Sequence, residues 1–168
     1  MIEMRIESVR VSLMSPNQVV ILKELEGERR LPIFIGKAEG DAIAFRLNND
    51  LVVPRPLTHD LATSLVGALD AKISRVVISD LRHQHFIATL HLESQGNDLA
   101  LDVRPSDALA LAVRADCPIY AQEHVLAEAG VFPPASPAEP ETDSGQGNVG
   151  AFDDFISSLD LSDLDKDK

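Results

Sequence analysis

The chain has 168 residues, a net charge of −12 at pH 7, 45% apolar and 25% charged residues, an ordinary balance for one globular domain with an appendage. One cysteine, Cys117, excludes an intrachain disulfide framework and a cysteine-only zinc site, and no stretch approaches the run of about eighteen apolar residues that reads as a transmembrane helix. Residues 1–131 carry 13 basic against 18 acidic side chains, and residues 132–168 carry 2 against 9. With no basic stripe, 4% aromatics and no Trp, bulk charge repels phosphate backbones and a broad base-stacking platform is poorly supplied. Charge interrupts the apolar residues of MIEMRIESVRVSL too often for a secretory signal. A cytoplasmic protein with no membrane segment is expected.

In chain order, residues 2–14 alternate as a strand, but the apolar parity slips. Ile2, Met4 and Ile6 share one face and Val9, Val11 and Leu13 the other, which predicts a bulge near Glu7–Ser8. Val19–Leu25 and Leu31–Ile35 follow after short turns, so the first three strands read as an antiparallel meander. Ala38, Ala42 and Phe45 change to helical spacing over 37–48. A proline-bearing loop leads to Thr58, the expected N-cap of a second helix whose apolar face is Leu61, Leu65 and Leu69 with Ala62 and Val66. Residues 72–81 and 85–93 form a hairpin around Arg82-His83-Gln84, and Leu99–Val103 is a third arm. A helix then runs from about Pro105 to Ala115, with a short strand at Pro118–Ala121 and a last helix over Glu123–Ala129. The expected fold is a single α/β domain of α+β type over 1–131, a mixed, largely antiparallel sheet with flanking helices.

From residue 132 four prolines and no apolar periodicity predict a flexible acidic tail. Within it Phe152, Phe155, Ile156 and Leu159 share an amphipathic face. That short segment, 152–159, reads either as a solubilising tail or as a helix that docks on a protein partner.

Phosphate-binding loops, dinucleotide fingerprints, nucleophile elbows and zinc-protease motifs are all missing from the sequence. What stands out is a pair of similar helix entries. Arg55-Pro56-Leu57-Thr58-His59-Asp60 opens one helix and Arg104-Pro105-Ser106-Asp107 opens another, with Asp102 just upstream. Each places an arginine, a hydroxyl and a carboxylate where backbone amides favour anions. Thr58, Ser106, Asp60 and Asp107 have plainer readings as caps and as partners of the helix dipole, and Arg104 as a strut to Asp102 or Asp107. Histidine titrates near working pH, which makes His59 the best general acid or base. His85 and His91 share the polar face of one strand and read as exposed. Glu39 and Asp41, opening the first helix, are secondary candidates that also read as solvated.

LPIFIGKAEGDAIAFRL, PRPLTHDL and DVRPSDALALAVRADCPIYAQEHVL resemble the bifunctional nuclease family, over about residues 4–130. The resemblance implies a compact α/β domain that forms homo-oligomers and degrades RNA and DNA. Gly40 departs from the alanine usual after Glu39, and the tip Arg82-His83-Gln84-His85 replaces a shorter polar-glycine turn.

Two functions follow as expectations. One is a nuclease in which Asp60, Asp102 and Asp107 gather Mg²⁺ or Mn²⁺, His59 moves the proton with Asp60 and Asp107 as catalytic partners, and Arg55, Thr58, Arg104 and Ser106 hold the phosphate of a nucleic-acid substrate. The alternative is a non-catalytic oligomer that regulates or binds an anion and recruits a partner through its acidic tail.

Overall fold

The computed structural model describes residues 1–11, 17–48 and 53–133. The expectations for the acidic tail and its 152–159 segment lie outside these residues. β1 (Ile2–Val11), β2 (Gln18–Glu24) and β3 (Arg30–Ile35) form the antiparallel meander, with α1 (Lys37–Leu47) and α2 (Thr58–Ala68) after it. β4 (Ala71–Arg82), β5 (His85–Ser94) and β6 (Asn97–Val103) form a second meander, followed by α3 (Pro105–Ala115), β7 (Ile119–Ala121) and α4 (Glu123–Ala129). The seven strands make one curled sheet in the order β3-β2-β1-β7-β4-β5-β6. β7 joins the two meanders, antiparallel to β1 and parallel to β4.

The parity slip in β1 is a bulge. The register shifts between Ile6 and Ser8, and Glu7 turns its carboxylate to Arg30 of β3, accepting from Nε at 2.7 Å and Nη2 at 2.8 Å. Downstream of it Val9 faces Val20, which is fully buried. Both hairpins of the second meander turn in two residues with positive φ, His83–Gln84 and Gln95–Gly96, as the right-handed twist of paired strands demands.

The core lies between the sheet and α1 and α3, around Leu22, Leu31, Ile33, Ile43, Ile78 and Leu109. α2 departs from expectation. Only Ala62 and Val66 pack on the core, while Leu61, Leu65 and Leu69 are 56%, 55% and 75% exposed. α2 lies beside α3, the small Ala62 fits that close approach, and the bulkier leucine row turns outward. Among the described residues no helix is long and apolar enough to cross a membrane.

Candidate functional site

Three helix starts converge on an open cleft of about 630 Å³, lined among others by Glu39 and Phe45 of α1, Thr58 and His59 of α2, and Arg104 and Asp107 of α3. Local sequence explains the convergence. Pro105 takes the first position of α3, where its missing N–H costs nothing, and Arg104 just before it stays extended. No side chain caps α3 or α1. Their first amides therefore remain available to an anion.

Asp107 is the hub of the cleft. Its carboxylate accepts from Arg104 Nε at 2.7 Å and Nη2 at 2.9 Å, and it faces His59 Nε2 at 3.3 Å. Burial pushes the Asp107 carboxyl up, but the bonds to Arg104 and His59 outweigh burial and hold it below the usual carboxylate range. Arg104 reaches on to Glu39 Oε1 at 3.0 Å. Asp107 first, then Glu39, raises the guanidinium's pKa further above its already high value. Facing a carboxylate, His59 Nε2 carries a proton, which leaves Nδ1 as the basic nitrogen. The His59 side chain is 14% exposed.

The other expected residues divide. Thr58 lines the cleft but is the first helical residue, since the N-cap is Leu57. Asp60 faces elsewhere. Its Oδ2 accepts the Leu57 N–H at 2.7 Å, and its Oδ1 pairs with Arg114 of α3. The Leu57 N–H and Arg114 hold the Asp60 carboxyl low against burial. This is the returning half of a capping box, made alone because Leu57 has no oxygen to supply the other half. Asp102 is exposed on the edge strand β6, opposite Thr89. Arg55 is exposed and makes no ion pair among the described residues. Ser106 is buried and lines a neighbouring cleft. Glu39, expected to be solvated, is instead bound to Arg104 with its side chain 20% exposed. Asp41 lines the cleft but is engaged by Lys37 and by Gln18 Nε2 at 2.7 Å. His91 is not exposed as expected either; it is sandwiched by Arg75 and Asp98 on the far side of the sheet.

Gly40 serves this arrangement. A Cβ there would stand 2.0 Å from Gln18 Oε1 and 3.0 Å from Gln18 Cβ, and Gln18 is buried while it holds Asp41. Gly40→Ala gains about 1 kcal/mol of helix propensity but forces a packed side chain, at about 1–3 kcal/mol. The variant is expected to melt below the wild type, and Gly40→Ala combined with Gln18→Ala to recover part of the loss; thermal unfolding of both measures it.

The family model for the bifunctional nuclease domain matches residues 20–134. The chain belongs to the bifunctional nuclease domain family. An uncharacterized protein of Mycobacterium tuberculosis is 38% identical over 163 residues, covering 96% of this chain and 97% of the relative. Bifunctional nuclease 1 of Oryza sativa subsp. japonica is 26% identical over 121 residues, and Bifunctional nuclease 1 of Arabidopsis thaliana is 25% identical over 121. Each plant alignment covers 70% of this chain but 36% and 37% of the plant protein. Both helix entries of this bifunctional nuclease domain fall inside the matched region.

The residues of this domain do not fit the divalent ion expected at Asp60, Asp102 and Asp107. Among the described residues no three His, Cys, Asp or Glu side chains gather as a metal cluster. Both oxygens of Asp60 are engaged with Leu57 and Arg114. Both oxygens of Asp107 face Arg104, and Arg104 also takes Glu39. A cation here would meet a guanidinium already occupying the carboxylates.

Sequence reasoning missed Arg114. It is the one charged residue in the run ALALAVRA, and its side chain is 5% exposed. A basic residue near the end of an apolar helix has a ready reading as a dipole partner, so the signal was present but ambiguous.

Proposed function

We propose that this chain cleaves phosphodiester bonds of nucleic acid in the cleft of His59, Asp107 and Arg104, by general acid–base chemistry. The observation that carries the reading is the Asp107 carboxylate held between an imidazole and a guanidinium at two converging helix starts. The names of the plant relatives support the same reaction class.

In this reading the first amides of α3 and the outer nitrogen of Arg104 hold the phosphate. Asp107 fixes the His59 ring through Nε2–H, and Nδ1 takes the proton of the attacking hydroxyl, a ribose 2′-OH or a water. The new P–O bond forms as the bond to the leaving sugar oxygen breaks. That oxygen takes its proton from solvent. Arg104 offsets the charge that grows on the non-bridging oxygens. No step passes through a metal ion.

The test incubates the full chain and His59→Ala with single-stranded RNA and DNA, in chelator and in Mg²⁺ or Mn²⁺. Wild-type cleavage that persists in chelator, and falls about a hundredfold or more in His59→Ala, is the expected result. Cleavage abolished by chelator would bring a cation into the site and overturn acid–base chemistry alone. Equal rates in both proteins would remove His59.

A second reading rests on the pairing of Arg104 with two carboxylates. There the guanidinium braces α1 against α3, and the domain is a non-catalytic anion-binding or regulatory oligomer. It is distinguished by binding without turnover of any of these substrates.

A further inference from the structure

Arg104 stands between two clefts. Beyond it, away from His59, lies a second cleft of about 320 Å³, formed where the end of β3 approaches the tip of the β4–β5 hairpin. It is lined among others by Phe34, His85, Phe86, Arg104 and Ser106. Phe34 is 68% exposed on β3, an edge strand of the sheet. One exposed ring alone is ordinary on a protein surface, and the informative feature is the grouping of rings about one cleft. The described residues hold four phenylalanines, and three of them, Phe34, Phe45 and Phe86, line these two clefts. A chain poor in aromatics has placed them on either side of one arginine.

Ser106 is a second and independent sign. It is 8% exposed and lines this cleft, yet its hydroxyl has no hydrogen-bond partner among the described residues. Among the described residues the one buried side-chain polar atom without a partner is Nη1 of Arg30, so the Ser106 hydroxyl is open to solvent and free to bond a ligand in the cleft. It sits in the uncapped first turn of α3, whose amides also lack a side-chain partner. Together these make a polar floor beside an aromatic wall, the pairing that a nucleotide presents in reverse as phosphate or sugar hydroxyl beside a base.

We infer that the cleft of Phe34, Phe86 and Ser106 is a subsite for one unstacked nucleotide next to the bond being cleaved, which makes the substrate single-stranded nucleic acid. This rests on the reading of the His59 cleft as a phosphodiesterase site and extends it. The base lies against Phe34 and Phe86, the sugar-phosphate meets the Ser106 hydroxyl and the α3 amides, and the backbone crosses Arg104 into the His59 cleft. A base in a duplex is stacked on both faces, so it reaches the Phe34 ring only after unpairing. Stacking tolerates any base, and the subsite therefore selects strandedness with little sequence preference.

The experiment uses the full chain, wild type and Phe34→Ala, with a fluorescein-labelled oligothymidylate alone and annealed to oligoadenylate. Phe34 is exposed, so its removal leaves the core intact. Anisotropy is expected to show single strand bound in preference to duplex, with single-strand affinity about tenfold weaker in Phe34→Ala. Phe34→Trp, excited at the indole, is expected to be quenched by the single strand and not by the duplex. Equal single-strand binding and cleavage by wild type and Phe34→Ala overturn the subsite while leaving the phosphodiesterase reading standing. Duplex bound as tightly as single strand does the same. A change in sedimentation with unchanged oligonucleotide binding would assign Phe34 to contact with a second copy and overturn it also. Neither binding nor cleavage of any strand by the wild type overturns both readings together.

Discussion

Asp107→Asn is expected to lower the cleavage rate about a thousandfold, within the range by which positioned acids and bases act, with most of the loss in kcat. Asp107 accepts from both Arg104 and His59, and an asparagine has one acceptor oxygen for the two of them. If the oxygen stays with Arg104, the NH₂ group turns to His59 and favours the tautomer with Nδ1–H. The basic nitrogen then lies on the wrong side of the ring. If it lies toward His59 instead, it still accepts from Arg104 Nη2, but the NH₂ group then meets Arg104 Nε donor against donor and the two-point grip on the guanidinium is lost. Either way the imidazole or the phosphate clamp is misplaced.

Glu39→Gln provides the scale. Its carboxylate meets only one nitrogen of Arg104, so it is expected to cost the rate about tenfold or less. The wild-type carboxyl of Asp107 is held below the usual range by Arg104 and His59 against burial, so it stays ionised in mild acid. Mild acid therefore does not reproduce the Asp107→Asn effect. Steady-state kinetics of the two variants on one single-stranded RNA measure it, and equal losses at Glu39 and Asp107 would dissolve the hub.

The largest stability effect is expected at Asp60, the residue that sequence motifs make look most catalytic. Asp60→Asn removes the charge opposite Arg114, whose side chain is 5% exposed and keeps only the Ala110 carbonyl. Removing one partner of a fully buried pair costs about 3–5 kcal/mol. Asp60 is itself 34% exposed, and solvent screening brings the expectation down to about 2 kcal/mol. For a domain of this size that lowers Tm by about 8 °C. Cleavage per folded molecule is expected to stay within a few-fold.

The pH dependence has a definite sign. The Asp60 carboxyl is depressed from 3.8, so its contribution is complete above the unfolded value and disappears as pH falls through the lower folded one. Wild-type Tm should thus drop below about pH 4, and the drop should be shallower in Asp60→Asn. Arg114→Met added to Asp60→Asn is expected to cost less than the sum of the two single changes. Thermal melts over the acid range check all three statements. A rate lost in step with the charge at Asp60, with Tm unchanged, would return Asp60 to the chemistry.

Much of the fold is legible in the chain because it is local. The bulge at Glu7 follows from apolar parity, since a strand cannot change faces without an extra residue. The two meanders follow from short turns, and the start of α3 from Pro105 and the extended residue before it. The likeness of PRPLTHDL and DVRPSDALALAVRADCPIYAQEHVL to the bifunctional nuclease family depends on the same contiguous residues, and the family match bears it out. His59, Arg104 and Asp107 stand out for the same reason, as chemistry-bearing types at helix entries.

Tertiary structure alone decides the direction in which side chains at those entries point. His59 and Asp60 are neighbours on α2, and an α-helix turns about 100° per residue. One therefore faces Asp107 across the cleft while the other faces Arg114 behind it. Both helix entries look alike as sequence, yet Arg55 is exposed without an ion pair among the described residues while Arg104 is bonded to the carboxylates of Asp107 and Glu39. The outward leucine row of α2 has the same origin: periodicity shows that a helix has an apolar face, and only the neighbours α3 and β4 determine which edge of that face is covered. Phe34 and Ser106 line one cleft only because the curl of the sheet brings β3, the β4–β5 tip and the start of α3 together. Spacing along the chain carries no information about such a cleft, because the approach of residues 34, 86 and 106 is set by packing and not by local propensity.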